Sequence, residues 1–255
     1  MRLIIQPNYD MLSQWAAHYV AAKIRNANPT AEKPFVLGLP TGSSPLGMYR
    51  ALIELHKKGI VSFQNVITFN MDEYVGLPQE HPESYYSFMW NNFFNHVDVK
   101  RENVNILNGN AADLEAECAA YEAKMKAVGG VDLFLGGIGP DGHIAFNEPG
   151  SRLNSTTRLI LLDNASRNEA SKIFGTLDNT PISSITMGVS TILGAKKVYL
   201  LAWGENKAAM IKECVEGAIT DTIPASYLQN HSFPLPIYIP KSISRRPSGL
   251  REDKG

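Results

Sequence analysis

Short apolar runs alternate along the chain with longer segments in which apolar residues recur at helical spacing. This alternation predicts repeated β-α units around a mostly parallel sheet. The predicted strands are RLII, PFVLGL, VITFNM, NVNIL, VDLFLGGIG, SITMGV, KKVYLLAWG and one in PIYIP. The predicted helices are MLSQWAAHYVAAKIRNA, PLGMYRALIELHKKG, SYYSFMWNNFFNHV, DLEAECAAYEAKMKAVG, RNEASKIFG and NKAAMIKECVEG. We therefore expect an α/β fold, with a Rossmann-like, mostly parallel sheet and helices on both faces.

The 255 residues contain no internal repeat, low-complexity tract or linker, so we expect a single domain. Hydrophobic residues make up 44% of the chain, which is enough for a sizeable core. The domain is predicted over residues 1–240, and a polar C-terminal tail over residues 241–255.

Charge and apolar content exclude several classes of partner. The formal net charge is −1, so we expect no nucleic-acid and no membrane partner, and an anionic ligand must be bound by a local pocket. No run approaches the roughly 18–20 apolar residues of a membrane span, and the first apolar run is too short for a signal peptide. Cys118 and Cys214 lie in helical patterns and are predicted to be buried free thiols. We expect a cytoplasmic protein.

Ligands of doubly wound α/β folds bind at the carboxyl ends of the strands, where three polar turns are predicted here. In the first turn, Thr41, Gly42, Ser43 and Ser44 precede Pro45, a residue suited to the start of a helix. Backbone N–H groups and hydroxyls at such a position form an anion pocket. The same residues also suit an ordinary capped turn, and the turn alone does not decide between the two.

The second turn begins with Asp72 and Glu73 after the strand VITFNM. Adjacent acids at a strand end commonly cap or solvate a turn, and taken alone this interpretation is the stronger one. A carboxylate in this position can also act as a base that removes a proton next to a carbonyl.

The third turn, GGIGPDGHIAFNEPG, contains three titratable residues: Asp141, His143 and Glu148. A histidine between two carboxylates is oriented and favoured in its protonated form, so it can exchange protons near neutral pH. This pattern favours catalysis over a simple hydrogen-bonded turn. The three residues could also bind a metal ion, but neither other turn supplies a second histidine or a cysteine, so we expect no metal.

Together, the stretches GLPTGSSP, TFNMDEYVGLP and GGIGPDGHIAFNEPGS resemble the glucosamine-6-phosphate deaminase/isomerase family. The match is close over residues 1–150 and looser to about residue 231. The resemblance implies an enzyme without cofactor that converts D-glucosamine 6-phosphate and water to D-fructose 6-phosphate and ammonia. It also implies a homo-oligomer.

The resemblance further implies roles for individual residues. His143 would open the sugar ring by proton transfer at the ring oxygen, held and charged by Asp141 and Glu148. Asp72 would move a proton between C2 and C1 by way of an enolamine. The implied substrate-binding residues are Thr41, Gly42, Ser43, Ser44, Gly137, Ala145, Lys172 and Lys207.

The chain departs from the family pattern after His231 and at two places that bear on ligand binding. Lys172 stands where the family has an arginine that clamps the substrate phosphate, and a lysine supplies a point charge in place of a planar fork. Hexameric bacterial members bind N-acetylglucosamine 6-phosphate allosterically through an arginine and a lysine. Ser151 and Arg158 are the candidate allosteric residues here, but Ile160 stands at the lysine position. We therefore predict weak or absent activation.

Three alternatives stay open. A 6-phosphogluconolactonase has a similar G-x-D-G-H turn, but it typically continues with TASLFPG, where this chain reads IAFNEPG. A non-catalytic sugar-phosphate-sensing domain of a transcription regulator carries a helix-turn-helix before this kind of fold, where this chain has a strand. The third is a deaminase-like enzyme whose substrate has changed.

Overall fold

A computed structural model of the chain describes residues 2–231 and 236–240. The larger of its two sheets has seven parallel strands in the spatial order β1-β10-β9-β6-β2-β3-β5. The strands are β1 (Arg2–Gln6), β2 (Phe35–Leu39), β3 (Val66–Asn70), β4 (Asp72–Tyr74), β5 (Val104–Asn105), β6 (Leu133–Gly137), β7 (Arg158–Leu161), β8 (Ser183–Thr186), β9 (Val198–Leu201) and β10 (Pro236–Pro240).

The seven α-helices within this part of the chain lie between strands, as the β-α alternation predicts. They are α1 (Tyr9–Ala27), α2 (Leu46–Lys57), α3 (Tyr85–Asn92), α4 (Leu114–Ala127), α5 (Asn164–Phe174), α6 (Val189–Leu193) and α7 (Ala208–Glu216). Side chains at the N-caps set where several of them begin: Asn8 accepts a hydrogen bond from the Met11 N–H at 2.9 Å, and Asp113 accepts one from the Ala116 N–H at 2.9 Å.

Two hydrophobic clusters cover the two faces of the large sheet, which confirms the expected single-domain α/β architecture. Helices α1, α2 and α3 pack on one face, and α4, α6 and α7 on the other. Side chains along β2 point to the two faces in turn. Phe35, Leu37 and Leu39 therefore belong to the cluster with α1, α2 and α3, and Val36 belongs to the cluster with α4, α6 and α7. Cys118 and Cys214 are buried and free, as predicted.

A second sheet has three strands in the order β4-β8-β7. The prediction that Asp72 and Glu73 lie in a turn is therefore wrong, and β7 has no counterpart among the predicted strands. The strands of this sheet pair antiparallel, so that Asp72 lies opposite Thr186 and Arg158 lies opposite Thr186 on the other side. Strands of three or four residues are too short to show a period, and their partners are distant in sequence.

The predicted helix SYYSFMWNNFFNHV is shorter than expected. Helix α3 ends at Asn92, and a 3-10 turn follows over Phe94–His96. Phe93 leaves the helical conformation and stacks on Tyr49 at 4.8 Å between ring centroids, so core packing interrupts the helix. The strand predicted from NVNIL is reduced to β5.

Within the described residues, each helix is too short or too polar to cross a membrane. The strand predicted in PIYIP is confirmed as β10, which pairs with both β1 and β9. The polar tail predicted over 241–255 lies outside the described residues.

Candidate active site

Four neighbouring strands of the large sheet bring the predicted polar turns to one edge. Strands β9, β6, β2 and β3 lie side by side and parallel, so their carboxyl ends meet. The turn with Thr41 follows β2, Asp72 follows β3, His143 follows β6 and Lys207 follows β9. The sequence prediction that the three turns share one edge is thereby confirmed.

Asp72 is a buried carboxylate at the start of β4, with 7% of its surface exposed. The pKa of Asp72 is raised to about 8, chiefly by burial and in addition by the neighbouring charge of Glu73. The charge of His143 opposes both effects. Asp72 is therefore close enough to the third turn to be affected by the charge of His143, and it binds a proton more strongly than an exposed aspartate does.

Glu73 faces the opposite way and anchors helix α3. Its Oε1 accepts hydrogen bonds from the N–H groups of Tyr74 at 2.9 Å and Tyr85 at 3.0 Å, and its Oε2 accepts one from Tyr86 at 2.8 Å. Tyr85 and Tyr86 are the first two residues of α3, whose N–H groups have no partner within the helix. For Glu73 the capping interpretation of the second turn is correct, whereas Asp72 is left facing the site.

The third turn holds His143 between two carboxylates. Its Nδ1 lies 2.7 Å from Asp141 Oδ1 and 3.4 Å from Glu148 Oε2. Burial alone lowers the pKa of His143, but the hydrogen bonds and charges of both carboxylates outweigh it and raise this pKa to about 9. The contact of Asp141 Oδ1 with His143 Nδ1 also holds the pKa of Asp141 well below its usual range. Ser166, in the first turn of α5, donates a hydrogen bond to the other oxygen of Glu148, Oε1.

Glycines shape this turn where the histidine ring must fit. A side chain at Gly139 would overlap the His143 ring. Gly142 has φ +85°, and a Cβ there would lie 2.6 Å from Ile223 Cγ2 and 2.8 Å from Met210 Sδ. The spacing Gly-x-x-Gly-His therefore follows from the close approach of the ring and from a left-handed backbone position.

Asp141, His143 and Glu148 form the one cluster of three potential metal ligands in residues 2–231, with ligand atoms within 4.8 Å of one another. Two carboxylates that face the same ring nitrogen are also the arrangement expected around a protonated imidazole. A cation at this place would displace the Nδ1 proton, so the two uses of the cluster exclude each other.

The first turn forms an open loop between β2 and α2. Gly42 has φ +89° and an exposed position, and Ser43 is exposed beside it. The backbone at the start of the loop is fixed by hydrogen bonds: Asn70 Nδ2 donates one to the Leu39 carbonyl at 3.1 Å. Tyr49 donates another to the Pro40 carbonyl. The backbone is thus anchored at the two residues that precede Thr41.

Lys207 reaches from the end of β9 to the third turn. Its Nζ donates a hydrogen bond to the Ile138 carbonyl at 2.8 Å, one residue beyond Gly137. Ala145, in the same turn, has φ +52°, an uncommon conformation for a residue with a side chain. The predicted binding residues Gly137, Ala145 and Lys207 therefore lie around His143.

Helix α5 extends across the site from the third turn to β4. At its start Ser166 contacts Glu148, and at its end the Phe174 ring packs edge-on against Tyr74 at 5.5 Å. Lys172 is exposed in the last turn of this helix. Lys172 is therefore carried by an element that contacts both ends of the site.

The candidate allosteric residues line a separate cavity of about 570 Å³ next to the third turn. Arg158 donates to Asn147 Oδ1 at 2.9 Å and to Ser151 Oγ at 3.3 Å, and Ile160 also lines the cavity. Glu148 is part of the same lining. The sequence resemblance placed Ser151 and Arg158 together, and the fold does bring them into contact.

Two partners of the site were missed from the sequence: Ser166, on Glu148, and Tyr9, whose hydroxyl contacts the first turn. Tyr9 follows β1 and thus also stands at the carboxyl end of a strand, which was the available signal. Ser166 lies one residue before the predicted helix RNEASKIFG, where the sequence carries no such signal.

The chain matches the family model described as glucosamine-6-phosphate isomerases/6-phosphogluconolactonase over residues 7–235. The glucosamine-6-phosphate deaminase of Parabacteroides distasonis is 68% identical over 91% of this chain and 86% of its own length. That of Borreliella afzelii is 56% identical over 91% of this chain and 87% of its own.

Solved structures agree with these matches. A monomeric glucosamine-6-phosphate deaminase superposes with a TM-score of 0.90 at 41% identity, covering 95% of this chain and 98% of that chain. The 6-phosphogluconolactonase from Leishmania guyanensis has a TM-score of 0.74 at 22% identity, over 95% and 97% of the two chains, and shows the shared fold alone. The chain therefore belongs to the glucosamine-6-phosphate isomerase/6-phosphogluconolactonase family, among its glucosamine-6-phosphate deaminases.

Proposed function

We propose that this protein converts D-glucosamine 6-phosphate and water to D-fructose 6-phosphate and ammonia. The observation that carries the proposal is the pairing of a buried carboxylate, Asp72, with an imidazole held between Asp141 and Glu148. The Asp72 carboxylate is suited to accept a proton from carbon, and the protonated imidazole of His143 is suited to donate a proton to oxygen. No cofactor enters this chemistry.

Ring opening is the first step. Protonated His143 donates a proton to the ring oxygen O5 as the C1–O5 bond breaks. The neutral imidazole that results accepts the proton of the C1 hydroxyl, which leaves an aldehyde at C1. Asp141 and Glu148 keep the imidazole charged and oriented, so that it is ready as a general acid.

Isomerisation follows at Asp72. Its carboxylate removes the proton from C2, giving an enolamine, and returns the proton to C1. The resulting ketimine at C2 is hydrolysed by water to the ketone, and ammonia leaves. A raised pKa suits this task, because a base that removes a proton from carbon works best when its pKa is near the operating pH.

The substrate phosphate is held by the first turn. The N–H groups of Gly42, Ser43 and Ser44 and the hydroxyls of this turn supply neutral donors, and Lys207 supplies charge from the end of β9. Lys172 supplies a second charge from α5, as a flexible point donor without the fork of an arginine.

The experiment that tests this function is release of ammonia and fructose 6-phosphate from glucosamine 6-phosphate by the purified protein. Asp72→Asn and His143→Gln keep the side-chain shapes while removing the base and the acid. We expect activity in the unchanged protein and a loss of about 100- to 10,000-fold in each variant. A folded protein that releases neither product, or that hydrolyses 6-phosphogluconolactone instead, would refute the proposal.

The cavity beside Glu148 suits an effector, but its chemistry departs from the family pattern. Arg158 and Ser151 supply polar contacts, whereas Ile160 places an apolar side chain at the lysine position. We propose that N-acetylglucosamine 6-phosphate activates the enzyme weakly or not at all. The test is the rate of ammonia release at constant substrate concentration, measured with and without N-acetylglucosamine 6-phosphate. Clear activation by this sugar would contradict the proposal.

A homo-oligomer in the cytoplasm stays a prediction. Leu159, Leu161 and Ile182 are exposed at the outer edge of the small sheet, and an assembly would bury them. The 41% identical deaminase structure is of a monomer. Light scattering at micromolar concentration measures the mass directly, and a monomer mass there would contradict the prediction.

A further inference from the structure

Tyr9, the first residue of α1, reaches from a different element to the turn that follows β2. Its hydroxyl oxygen lies 3.1 Å from the carbonyl oxygen of Ser43 and 3.1 Å from that of Ser44. The same oxygen accepts a hydrogen bond from the Gly47 N–H at 2.8 Å. A hydroxyl has one proton to donate, so the two carbonyls share it, while its lone pair serves Gly47. One side chain therefore ties the turn to the first turn of α2.

Close packing of α1 against α2 keeps the Tyr9 ring in this position. A Cβ at Gly47 would overlap the Ser13 side chain and lie 2.9 Å from Tyr9 Cε1, so only glycine allows this approach. On its other side the ring contacts Trp203, with ring centroids 5.4 Å apart. Trp203 follows β9 and precedes Lys207, which places the tyrosine between two candidate phosphate-binding segments.

The hydrogen bonds determine which backbone groups of the turn can face a ligand. Gly47 contributes one of the first N–H groups of α2, which have no partner within the helix, and this group points to Tyr9. By binding the carbonyls of Ser43 and Ser44, the hydroxyl also restrains the peptide planes that follow them. A pocket made of backbone donors binds an anion well only when those donors are already oriented.

We propose that Tyr9 is a positioning residue for phosphate binding: its hydroxyl holds the Gly42–Gly47 turn in the conformation that receives the phosphate of the substrate. This inference rests on the proposed function of that turn. Tyr9 itself does not touch the phosphate, and it takes no part in the proton transfers at Asp72 and His143.

Tyr9→Phe tests the proposal because it removes the hydroxyl and keeps the ring against Trp203. We expect the KM for glucosamine 6-phosphate to rise about tenfold with kcat within about twofold, since one hydrogen bond is lost and the Gly47 N–H loses its acceptor. The inhibition constant of inorganic phosphate should rise by the same factor. Tyr86→Phe is the matched control: the Tyr86 hydroxyl accepts a hydrogen bond from Arg101 at 2.7 Å, and we expect both constants to be unchanged.

Direct titration of inorganic phosphate by calorimetry separates this inference from the proposed function, because it needs no turnover. If the unchanged protein releases no ammonia, the function fails, and the ratio of phosphate affinities still decides the role of Tyr9. Trp203→Leu, which removes the ring behind Tyr9, should weaken phosphate binding in the same direction by a smaller factor. A lowered melting temperature with unchanged phosphate affinity in both variants would overturn the proposal and leave Tyr9 a structural residue.

Discussion

Glu148→Gln is the sharpest test of the charged imidazole. The two carboxylates around His143 raise its pKa to about 9, and Glu148 Oε2 contributes from 3.4 Å. Glutamine keeps the shape and can still bond Ser166, but it removes the charge. An opposite charge at this range shifts a pKa by about one unit or more, so we expect the pKa of His143 to fall to about 8.

The magnitude of the effect on rate follows from the two titrating groups. Activity requires ionised Asp72, with a pKa of about 8, and protonated His143, with a pKa of about 9. These values predict a bell-shaped kcat/KM profile with its optimum at about pH 8.5, where about 60% of the enzyme is in the active form. With both pKa values at about 8, the optimum moves to about pH 8 and the active fraction falls to about 25%.

The assay is kcat/KM for ammonia release measured from about pH 6.5 to pH 10 for both proteins, with apparent pKa values assigned to the pair. Ionisation of the substrate is common to both profiles and cancels in their comparison. Glu102→Gln removes the same charge at an exposed position and should leave the profile unchanged. An alkaline limb that stays at the same pH in folded Glu148→Gln would refute the role given to the carboxylate pair.

Three further predictions concern stability and phosphate binding. Asp72 has a folded pKa raised from 3.8 to about 8, so the protein loses stability as pH rises between these values; Asp72→Asn should therefore raise the melting temperature at pH 9 more than at pH 5, and equal shifts would contradict this. Lys172→Arg should increase kcat/KM for glucosamine 6-phosphate severalfold through a lower KM, and an unchanged KM would show that Lys172 does not meet the phosphate. Gly142→Ala should lower the free energy of unfolding by about 1–3 kcal/mol in urea, because its Cβ meets Ile223 and Met210 in a left-handed backbone position; unchanged stability would contradict the strain.

Much of the fold could be predicted because the β-α rhythm is strong in the first half of the chain. The errors fall where elements are short or where packing overrides the local pattern. β4 and β7 have three and four residues, and their pairing with β8 joins segments more than 20 residues apart. The helix containing Phe93 was predicted too long, because the aromatic contact that ends it is made with Tyr49, on another helix.

The candidate site shows the same division. The order of Asp141, His143 and Glu148 in one turn predicts a histidine between two carboxylates, and the resemblance to a known family names the residues around it. Two adjacent acids give no local sign of which one faces the site. Only the position of α3, whose first N–H groups bind Glu73, shows that Asp72 is the one that does. The hydroxyl of Tyr9 likewise lies 34 residues from the turn that it contacts.

The sequence by itself determined the α/β class, the three polar turns at strand ends and the acid–base residue types, because these depend on periodicity and on neighbours within a few positions. Only the tertiary structure decided that Asp72 is buried, that Glu148 meets Ser166, and that Tyr9 ties down the first turn. Burial and hydrogen bonding between distant segments depend on which surfaces pack together. They raise the pKa of Asp72 to about 8, whereas an aspartate in an exposed turn of the same sequence would remain an ordinary acid.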